Sequence, residues 1–474
     1  MGETRPRQRK FAPRSRQGCL TCRARRKRCD GQRPECQNCT RLNMKCEWQA
    51  QRRIVPESST SPPPSESSAT DDAADAMIGP LRPSINPWDA LPGNDSAQKK
   101  HILNYYIEAF VPSVSVATTP SSFYTSLYVP MAFQSEGMLD AIIAISSAQL
   151  ARRTVDAEKA HQLRRLSSKH QGKCHAFIRD RLSPSGEPLQ DSYQVTGMTL
   201  LLVGLEALNG ARGTTWLSQL ACVRKILGSL CQEQNVVDCW EVDSLRRHFT
   251  YHNAMASVMC KVSRDGPQAS LERELSPLCG SGMPLTIDPL MGISYYLCAL
   301  ISRIQYVTAP NPAFPHISEA AFHAIERDIQ QWTYESPISS PNIDLPIALD
   351  LIALAESYRL AALIQLYRSS DTHKHLVPAC ASRAMQFISR IPAGSPAESS
   401  LLYPIFLAGA ELDSEADIAK CIRRLNEIQQ KNRYENVGMV QQVLQEVWRP
   451  VLNGEPKRVW EDVLSEWGWS FTLG

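Results

Sequence analysis

The chain has 474 residues, of which 43% are hydrophobic and 21% charged, and its formal net charge is only +3. The apolar run Met198 to Leu205 is far shorter than the ~20 residues that a bilayer span requires, so we expect no membrane segment. The motifs of serine hydrolases, zincins, phosphate loops and dinucleotide sites are absent, so we expect no enzyme.

Positive charge is concentrated at the start of the chain. Residues 1–55 contain 16 Lys and Arg against 4 Asp and Glu, a formal +12, so residues 56–474 carry −9. A segment this basic suits nucleic-acid binding, because neutralising phosphates releases condensed counterions. Residues 1–17 are predicted to be a basic, disordered N-terminus. Their cationic run, Arg5–Lys10, is typical of nuclear import, and no apolar leader segment accompanies it.

Six cysteines follow in two copies of one C-x2-C-x6-C pattern, offset by 17 residues: Cys19, Cys22 and Cys29, then Cys36, Cys39 and Cys46. Thiolates are good ligands for structural zinc, which takes four of them in a tetrahedron. Two ions need eight ligand positions, so six sulfurs suffice only if two of them bridge both ions. The doubled pattern therefore indicates a small, pseudo-symmetric cluster that holds two Zn²⁺ ions.

Two other uses of these cysteines remain open. A disulfide framework would allow 15 pairings and needs an oxidising compartment. A single zinc ion would leave two thiols spare. Nine further cysteines, from Cys174 to Cys421, lie in apolar stretches and look like reduced core thiols, which favours zinc.

The two copies of the pattern differ in charge. Five of the six residues between Cys22 and Cys29 are cationic: Arg23, Arg25, Arg26, Lys27 and Arg28. The matching stretch of the second copy has only Arg41 and Lys45. We therefore expect the first half to face nucleic acid. The alternative is that the run serves nuclear import alone.

The segment from Gly18 to Trp48 closely resembles the fungal binuclear zinc cluster DNA-binding domain. Besides the cysteines, Arg23 follows the second cysteine, Asp30 follows the third, and Pro34 lies two residues before the fourth. The resemblance implies a DNA-binding module over residues 18–48. Together with the symmetry of the repeat, it implies that Cys19 and Cys36 are the bridging ligands.

The resemblance also implies roles for the basic run. Arg25 and Arg26 match the positions that approach base edges in the major groove of double-stranded DNA, and Arg23, Lys27 and Arg28 are expected to contact phosphates. The family reads CGG-type triplets, and guanine suits an arginine that donates to O6 and N7. Many members have a lysine where this chain has Arg26, which changes the donor geometry at that position.

Residues 49–97 are predicted to be a disordered, acidic linker. Eight prolines occur between Pro56 and Ala97, together with many Ser and Thr residues and the acidic run Asp71–Asp75. Pro56 and Pro62–Pro64 would break a coiled coil after the cluster. If a homodimer forms, we expect it to use the large domain.

Residues 98–474 are predicted to be an all-α domain, an irregular helical array. The sequence predicts helices over Met138–Arg152, Asp156–Leu182, Ser192–Leu208, Thr215–Cys231, Ser244–Val262, Pro289–Tyr306, Glu319–Trp332, Ile347–Arg368, His373–Arg390, Ser414–Gln430, Val437–Trp448 and Pro456–Glu466. The region resembles the fungal-specific regulatory domain, through Tyr105, Tyr106 and the apolar helix after Gly137. That resemblance implies a regulatory role and partners in the transcription machinery or among co-regulators.

These observations predict a zinc-dependent, sequence-specific transcription factor that acts on RNA polymerase II genes in a fungal nucleus. The resemblance favours an activator, and single-pathway regulators, including those of secondary metabolism, are common among relatives. The alternative is a partner-binding co-regulator in which the helical domain, and not the cluster, selects the loci.

Overall fold

The computed structural model divides the chain into two compact units, Met1–Leu81 and Arg82–Gly474. The residues it describes are 19, 22, 29, 30, 32, 36–40, 46, 96–117, 119, 122–183, 191–232, 240–256, 258–259, 286–308, 318–451 and 454–474. The predicted N-terminus, 1–17, and all but the last two residues of the predicted linker, 49–97, lie outside these ranges. In the first unit, the structure describes one short helix, Gln37–Thr40 (α1).

The second unit is built from α-helices. In chain order they are Ser96–Tyr105 (α2), Val111–Val114 (α3), Phe123–Ser126 (α4), Tyr128–Gln134 (α5), Glu136–Arg153 (α6), Ala157–Arg181 (α7), Ser192–Asn209 (α8), Thr215–Gln232 (α9), Trp240–Ala256 (α10), Tyr295–Thr308 (α11), Glu319–Gln330 (α12), Leu345–Arg368 (α13), Val377–Arg390 (α14), Leu402–Gly409 (α15), Glu415–Asn432 (α16), Glu435–Trp448 (α17) and Trp460–Trp467 (α18). A π-helical turn, Tyr106–Phe110, joins α2 to α3. Across the described part of this unit, β-structure is limited to an isolated bridge between Thr286 and Glu335 and a further single bridge residue, Leu182. The all-α prediction is therefore confirmed.

Helix α6 is the central helix among those at the start of this unit, since it contacts α2, α5, α7 and α8. It packs against α7 along its length and against α8. Fourteen of its 18 residues are buried, which explains why its sequence is apolar on every side rather than on one stripe. Its first turn is held by Ser135, whose side chain accepts the backbone N–H of Met138.

Strongly periodic segments were predicted well. Helices predicted over Asp156–Leu182, Thr215–Cys231 and Glu319–Trp332 are confirmed by α7, α9 and α12, with ends that differ by at most two residues. Several helices were not predicted, among them the short α3, α4 and α5 and the apolar α15. All eight residues of α15 are buried, so the segment has no polar face and no helical period to detect.

The predicted helix Pro289–Tyr306 begins too early, since α11 starts at Tyr295. The carboxylate of Asp288 accepts the backbone N–H groups of Leu290 and Met291, at 2.8 and 3.4 Å, which closes a turn. Gly292 then takes a φ of 73°, a left-handed conformation that interrupts a helix. The local side-chain hydrogen bonds therefore replace the first turns of the predicted helix.

Three other predicted helices differ from the structure by at least four residues at one end. The helix predicted over His373–Arg390 is α14 and begins at Val377, after a 3-10 turn over Lys374–Leu376. The helix predicted over Ser244–Val262 is α10, Trp240–Ala256, and acidic residues in its first turn suit the positive end of the helix dipole. The helix predicted over Pro456–Glu466 begins only at Trp460. Before it, the backbone N–H of Arg458 donates to the Val447 carbonyl at 3.1 Å, so this stretch bonds back to α17 instead of forming a helical turn.

Candidate metal centre and nucleic-acid interface

The six cysteines of the repeated pattern come together in the first unit. Five of them are buried and Cys46 is half-buried, and all six are free thiols. Helix α1 starts just after Cys36, and the backbone N–H groups of Cys39 and Thr40 both donate to the Cys36 carbonyl at 3.0 Å. This turn brings two cysteines, three residues apart, to the same side of the chain.

Four of the sulfur atoms form a tight group. Sγ of Cys19 lies 3.7 Å from Sγ of Cys36 and 3.7 Å from Sγ of Cys39, and Sγ of Cys22 lies 3.5 and 3.9 Å from the same two atoms. A disulfide needs a separation of ~2.05 Å, so these distances exclude disulfides among the four. Two thiolates on one tetrahedral zinc, with bonds of ~2.3 Å, lie ~3.8 Å apart. The spacing therefore fits shared zinc ligation.

The two remaining thiols attach to this group in the same way. The backbone N–H of Cys19 donates to Sγ of Cys29 at 3.4 Å, and the backbone N–H of Cys36 donates to Sγ of Cys46 at 3.3 Å. Each donor and acceptor are ten residues apart. The repeated sequence thus gives a repeated geometry, in which Cys19 and Cys36 occupy equivalent central positions.

Among the four sulfurs of the tight group, the pKa is lowered at Cys19 and Cys36 and raised at Cys22 and Cys39. Burial raises the pKa of Cys36, but a backbone hydrogen bond from Cys39 and bonds from neighbouring thiols outweigh it and lower the pKa to about 6. Burial likewise opposes ionisation of Cys19, yet the N–H of Cys22, 3.3 Å from its sulfur, and nearby thiols lower its pKa. Burial and the bonds to Cys36 and Cys19 raise the pKa of Cys39 to about 12. Zinc binds thiolates, so the central pair is the better prepared for metal.

Asp30 connects the two halves of the repeat. Its Oδ2 accepts the backbone N–H of Gln37, the first residue of α1, at 3.0 Å. The carboxylate also lies close to the sulfurs of Cys29 and Cys36, all within 4.8 Å of one another. The sequence singled out Asp30 only through a family resemblance. The structure gives it a physical role, since a carboxylate at a helix start satisfies a free N–H group.

The predicted DNA contacts, Arg23, Arg25, Arg26, Lys27 and Arg28, lie outside the described residues. The two cysteines that flank this run are described, and both are buried in the sulfur cluster. In the sequence, the basic run therefore lies between two cysteines of the sulfur cluster. Within the part of the chain that the structure describes, no helix is both long enough and apolar enough to span a membrane.

Comparison with known proteins places two family models on the chain. The model described as the fungal Zn(2)-Cys(6) binuclear cluster domain matches residues 17–53 and covers all six cysteines. The model described as the fungal specific transcription factor domain matches residues 101–474. The first match means that this segment is a domain of the kind that holds two zinc ions, whereas the four close sulfurs by themselves would suit one.

Curated relatives match over shorter stretches. The transcriptional activator protein UGA3 of Saccharomyces cerevisiae is 25% identical over 158 residues, which is 29% of this chain and 30% of the relative. The Zn(2)-C6 fungal-type transcription factor afumD of Aspergillus fumigatus is 30% identical over 142 residues, 29% of this chain and 33% of the relative. The zinc cluster transcription factor CZF1 of Candida albicans is 63% identical over 35 residues, 7% of this chain and 9% of the relative. The chain thus spans a third or less of the length of these relatives. No solved structure matches the chain.

Proposed function

This chain belongs to the family of fungal Zn(2)-C6 transcription factors, and we propose that it binds specific duplex DNA sequences in the nucleus and regulates transcription by RNA polymerase II. The observation that carries the proposal is the sulfur cluster with its two equivalent halves. Its close, free thiols suit metal ligation, and two of its cysteines flank a strongly basic run in the sequence.

In the proposed cluster, Cys19 and Cys36 each bind both zinc ions. The remaining four thiols, from Cys22, Cys29, Cys39 and Cys46, each bind one ion. This assignment gives every ion four sulfurs, as structural zinc requires. It is supported by the central positions of Cys19 and Cys36, whose sulfurs lie 3.7 Å apart.

The proposed interface uses the basic run of the first half. Arg25 and Arg26 contact base edges in the major groove, and Arg23, Lys27 and Arg28 contact phosphates. Guanine presents two acceptors in the major groove that match the fork of an arginine, so CGG-type triplets are the proposed target. A formal charge of +12 over residues 1–55 supplies the attraction that is independent of sequence.

We propose that the large helical unit regulates the DNA-binding module, residues 18–48. The protein would act as an activator that engages the transcription machinery or co-regulators. A homodimer, if one forms, would use this helical unit. The two relatives with the longer aligned stretches are named as a transcriptional activator, UGA3, and as a transcription factor, afumD. An experiment that separates the head from the helical unit is a genome-wide occupancy map of the full chain beside an Arg25→Ala, Arg26→Ala variant. Unchanged loci in the variant would favour the co-regulator alternative, in which the helical unit selects the sites.

The direct test of sequence-specific binding is selection of binding sites from random duplex DNA with the full, zinc-loaded chain. The expected result is enrichment of sites with a guanine-rich triplet of the CGG type. A pool that stays indistinguishable from the input after several rounds would contradict the proposal. The Arg25→Ala, Arg26→Ala variant is the control, because it retains the cluster and most of the positive charge.

A further inference from the structure

Helix α7, Ala157–Arg181, carries a concentration of positive charge within the helical unit. It contains seven Lys and Arg residues and two acidic residues, a formal +5. Residues 56–474 carry −9 in all, so the rest of that region carries −14. A single helix therefore presents a strongly basic surface on an otherwise acidic part of the chain.

One side of α7 is packed and the other faces solvent. Its buried residues recur every three or four positions, so they form one stripe along the helix. They are Ala160, Leu163, Ser167, His170 and Cys174. This stripe lies against α6, where Oγ of Ser167 donates to the carbonyl of Ala144 at 2.8 Å and Nδ1 of His170 lies 2.5 Å from Oδ1 of Asp140. Because these contacts fix the orientation of α7, its cations are held on the outer face.

Three cations occupy the centre of this outer face. Arg165, Lys169 and Arg179 are exposed, and at 3.6 residues per turn they lie within about 40° of one line along the helix. With a rise of 1.5 Å per residue, they span about 21 Å. Within the described part of the chain, none of the three forms an ion pair or a side-chain hydrogen bond, whereas Lys173 and Arg181, nearer the edges of the face, each have an acidic partner. The charge of the central three is therefore available to a ligand.

The chemistry of the outer face fits a nucleic acid better than a protein. Within α7, which the structure describes in full, no exposed residue is a large apolar residue or an aromatic one other than histidine. Protein interfaces gain most of their affinity from a few buried anchors, mainly aromatic, and lysine is depleted at them. A polyanion needs no such anchor, because release of its condensed counterions drives binding. Duplex DNA has one negative charge per ~1.7 Å, about twice the density of an extended acidic polypeptide at ~3.3 Å per residue.

We propose that the outer face of α7 is a further DNA-binding surface, separate from the zinc cluster. At this surface, Arg165, Lys169 and Arg179 contact the phosphate backbone of duplex DNA without reading its sequence. The surface adds affinity, whereas the DNA-binding module over residues 18–48 supplies sequence preference. The inference goes beyond the proposed function, since it concerns the helical unit and holds whether or not the cluster binds DNA.

The test is the salt dependence of binding to a duplex of scrambled sequence, measured by fluorescence anisotropy with the full, zinc-loaded chain. The logarithm of the association constant falls with the logarithm of the salt concentration, with a slope of about −0.9 for each neutralised phosphate. The triple variant Arg165→Gln, Lys169→Gln, Arg179→Gln is expected to bind more weakly and to reduce the magnitude of the slope by about 2–3. An unchanged slope would overturn the proposal.

A matched control removes the same amount of charge elsewhere in the helical unit. Arg327, Arg383 and Arg423 are exposed and lie on three separate helices, α12, α14 and α16. Their joint replacement by Gln is expected to change the slope by less than about 1, because scattered charges do not share one DNA contact. Equal reductions in the two triple variants would show an effect of net charge alone and overturn the proposal. The thermal midpoints of both variants should match that of the wild type, because exposed substitutions change stability little.

A second duplex separates this surface from the cluster. The α7 variant is expected to lose the same factor of affinity on the selected duplex and on the scrambled one, so its sequence preference stays that of the wild type. The Arg25→Ala, Arg26→Ala variant should lose the preference and keep the α7 contribution to the slope. If the cluster bound no DNA, the α7 contribution would still appear on the scrambled duplex, so the two proposals fail with different results. A changed preference in the α7 variant would overturn the claim of a surface that does not read sequence.

Polyglutamate tests the alternative partner for this face, an acidic protein segment. The affinity of polyglutamate is measured for the wild-type chain and for the α7 variant under the same salt conditions. The α7 substitutions are expected to weaken polyglutamate binding by a smaller factor than duplex binding, because the lower charge density of polyglutamate releases fewer counterions. An equal or larger loss with polyglutamate would assign the face to acidic proteins and overturn the proposal.

Discussion

Replacing Cys36 should have a larger effect on zinc than replacing Cys46. In the proposed cluster, Cys36 is bonded to both ions and Cys46 to one. Cys36 is fully buried, and its sulfur lies 3.7 Å from that of Cys19 and 3.5 Å from that of Cys22, whereas Cys46 is half-buried at the edge of the group. Removal of Cys36 therefore leaves both ions with three ligands.

The size of the difference follows from the number of bonds lost. Structural zinc binds with about 10–16 kcal/mol, so an even share among four ligands is roughly 2.5–4 kcal/mol for each bond. Cys46→Ala should weaken one site by roughly 2.5–4 kcal/mol, on the order of a hundred- to a thousandfold, and leave the other occupied. Cys36→Ala loses one bond at each ion, roughly 5–8 kcal/mol in all, so it should weaken both sites by that factor and destabilise the whole cluster.

The assay is titration of each purified variant with a chromogenic zinc chelator, with the released metal counted per chain. Cys222→Ala serves as the control, since this half-buried thiol lies in α9 of the helical unit, and two ions are expected to remain. Retention of both ions by Cys36→Ala, at wild-type affinity, would refute the bridging assignment.

Three further predictions address the DNA contacts and the helical unit. Arg26→Ala should weaken binding to the best DNA site by about 1–3 kcal/mol and relax the sequence preference of the protein, both measured by fluorescence anisotropy. Arg41→Ala, in the less basic half of the repeat, should leave the preference unchanged. An equal loss of affinity on all sequences would make Arg26 a phosphate contact. Gly292→Ala should lower the free energy of unfolding by more than about 1 kcal/mol, because the residue has a φ of +73° and an added Cβ would clash with the buried Leu354 of α13. The control in urea unfolding is Gly213→Ala, which has no atom within 4 Å of its added Cβ. Equal unfolding midpoints for the two variants would contradict the reasoning. Burial lowers the pKa of His252 to about 4 in the folded state, below the ordinary value of 6.5. The residue therefore contributes stability above pH 6.5, about 3 kcal/mol, that is lost progressively as the pH falls to about 4. This loss in the free energy of unfolding should shrink in His252→Asn, and identical pH profiles for the two proteins would rule out the contribution.

The sequence was most informative where a metal constrains it. Zinc needs a fixed number of ligands at fixed separations, so the two C-x2-C-x6-C copies predicted the cluster before any packing was known. The structure adds what the spacing could not give. The backbone N–H groups of Cys19 and Cys36 donate to the sulfurs of Cys29 and Cys46, and the Asp30 carboxylate holds the start of α1.

Helical periodicity predicted the class of the large unit and most of its elements. It failed where tertiary contacts or local side chains decided the backbone. Asp288 closes a turn that delays α11, and the wholly buried α15 has no polar face to reveal it. In the first case a local side chain decides the backbone, and in the second burial on every side removes the periodicity that would reveal the helix.

The helical unit contains a cavity whose lining could not have been predicted from the sequence. Phe110 and Val437 both line this cavity, yet they are more than three hundred residues apart along the chain, and no motif connects them. The unpartnered oxygen of Asn436 likewise has no signature in the sequence, because it is defined only by what the folded chain fails to place beside it. Such sites depend on the packing of whole helices, and periodicity describes each helix alone.

The claim that a zinc cluster presents arginines to DNA bases is tested most directly by the ratio of two DNA affinities. The full chain would be titrated, at one fixed salt concentration, with its selected duplex and with a duplex of the same length and composition but scrambled order. The zinc-loaded protein is expected to prefer the selected duplex by at least about a thousandfold, and removal of zinc by a chelator should bring the ratio close to one. A ratio near one in the loaded protein, or a preference that survives the loss of zinc, would contradict the account.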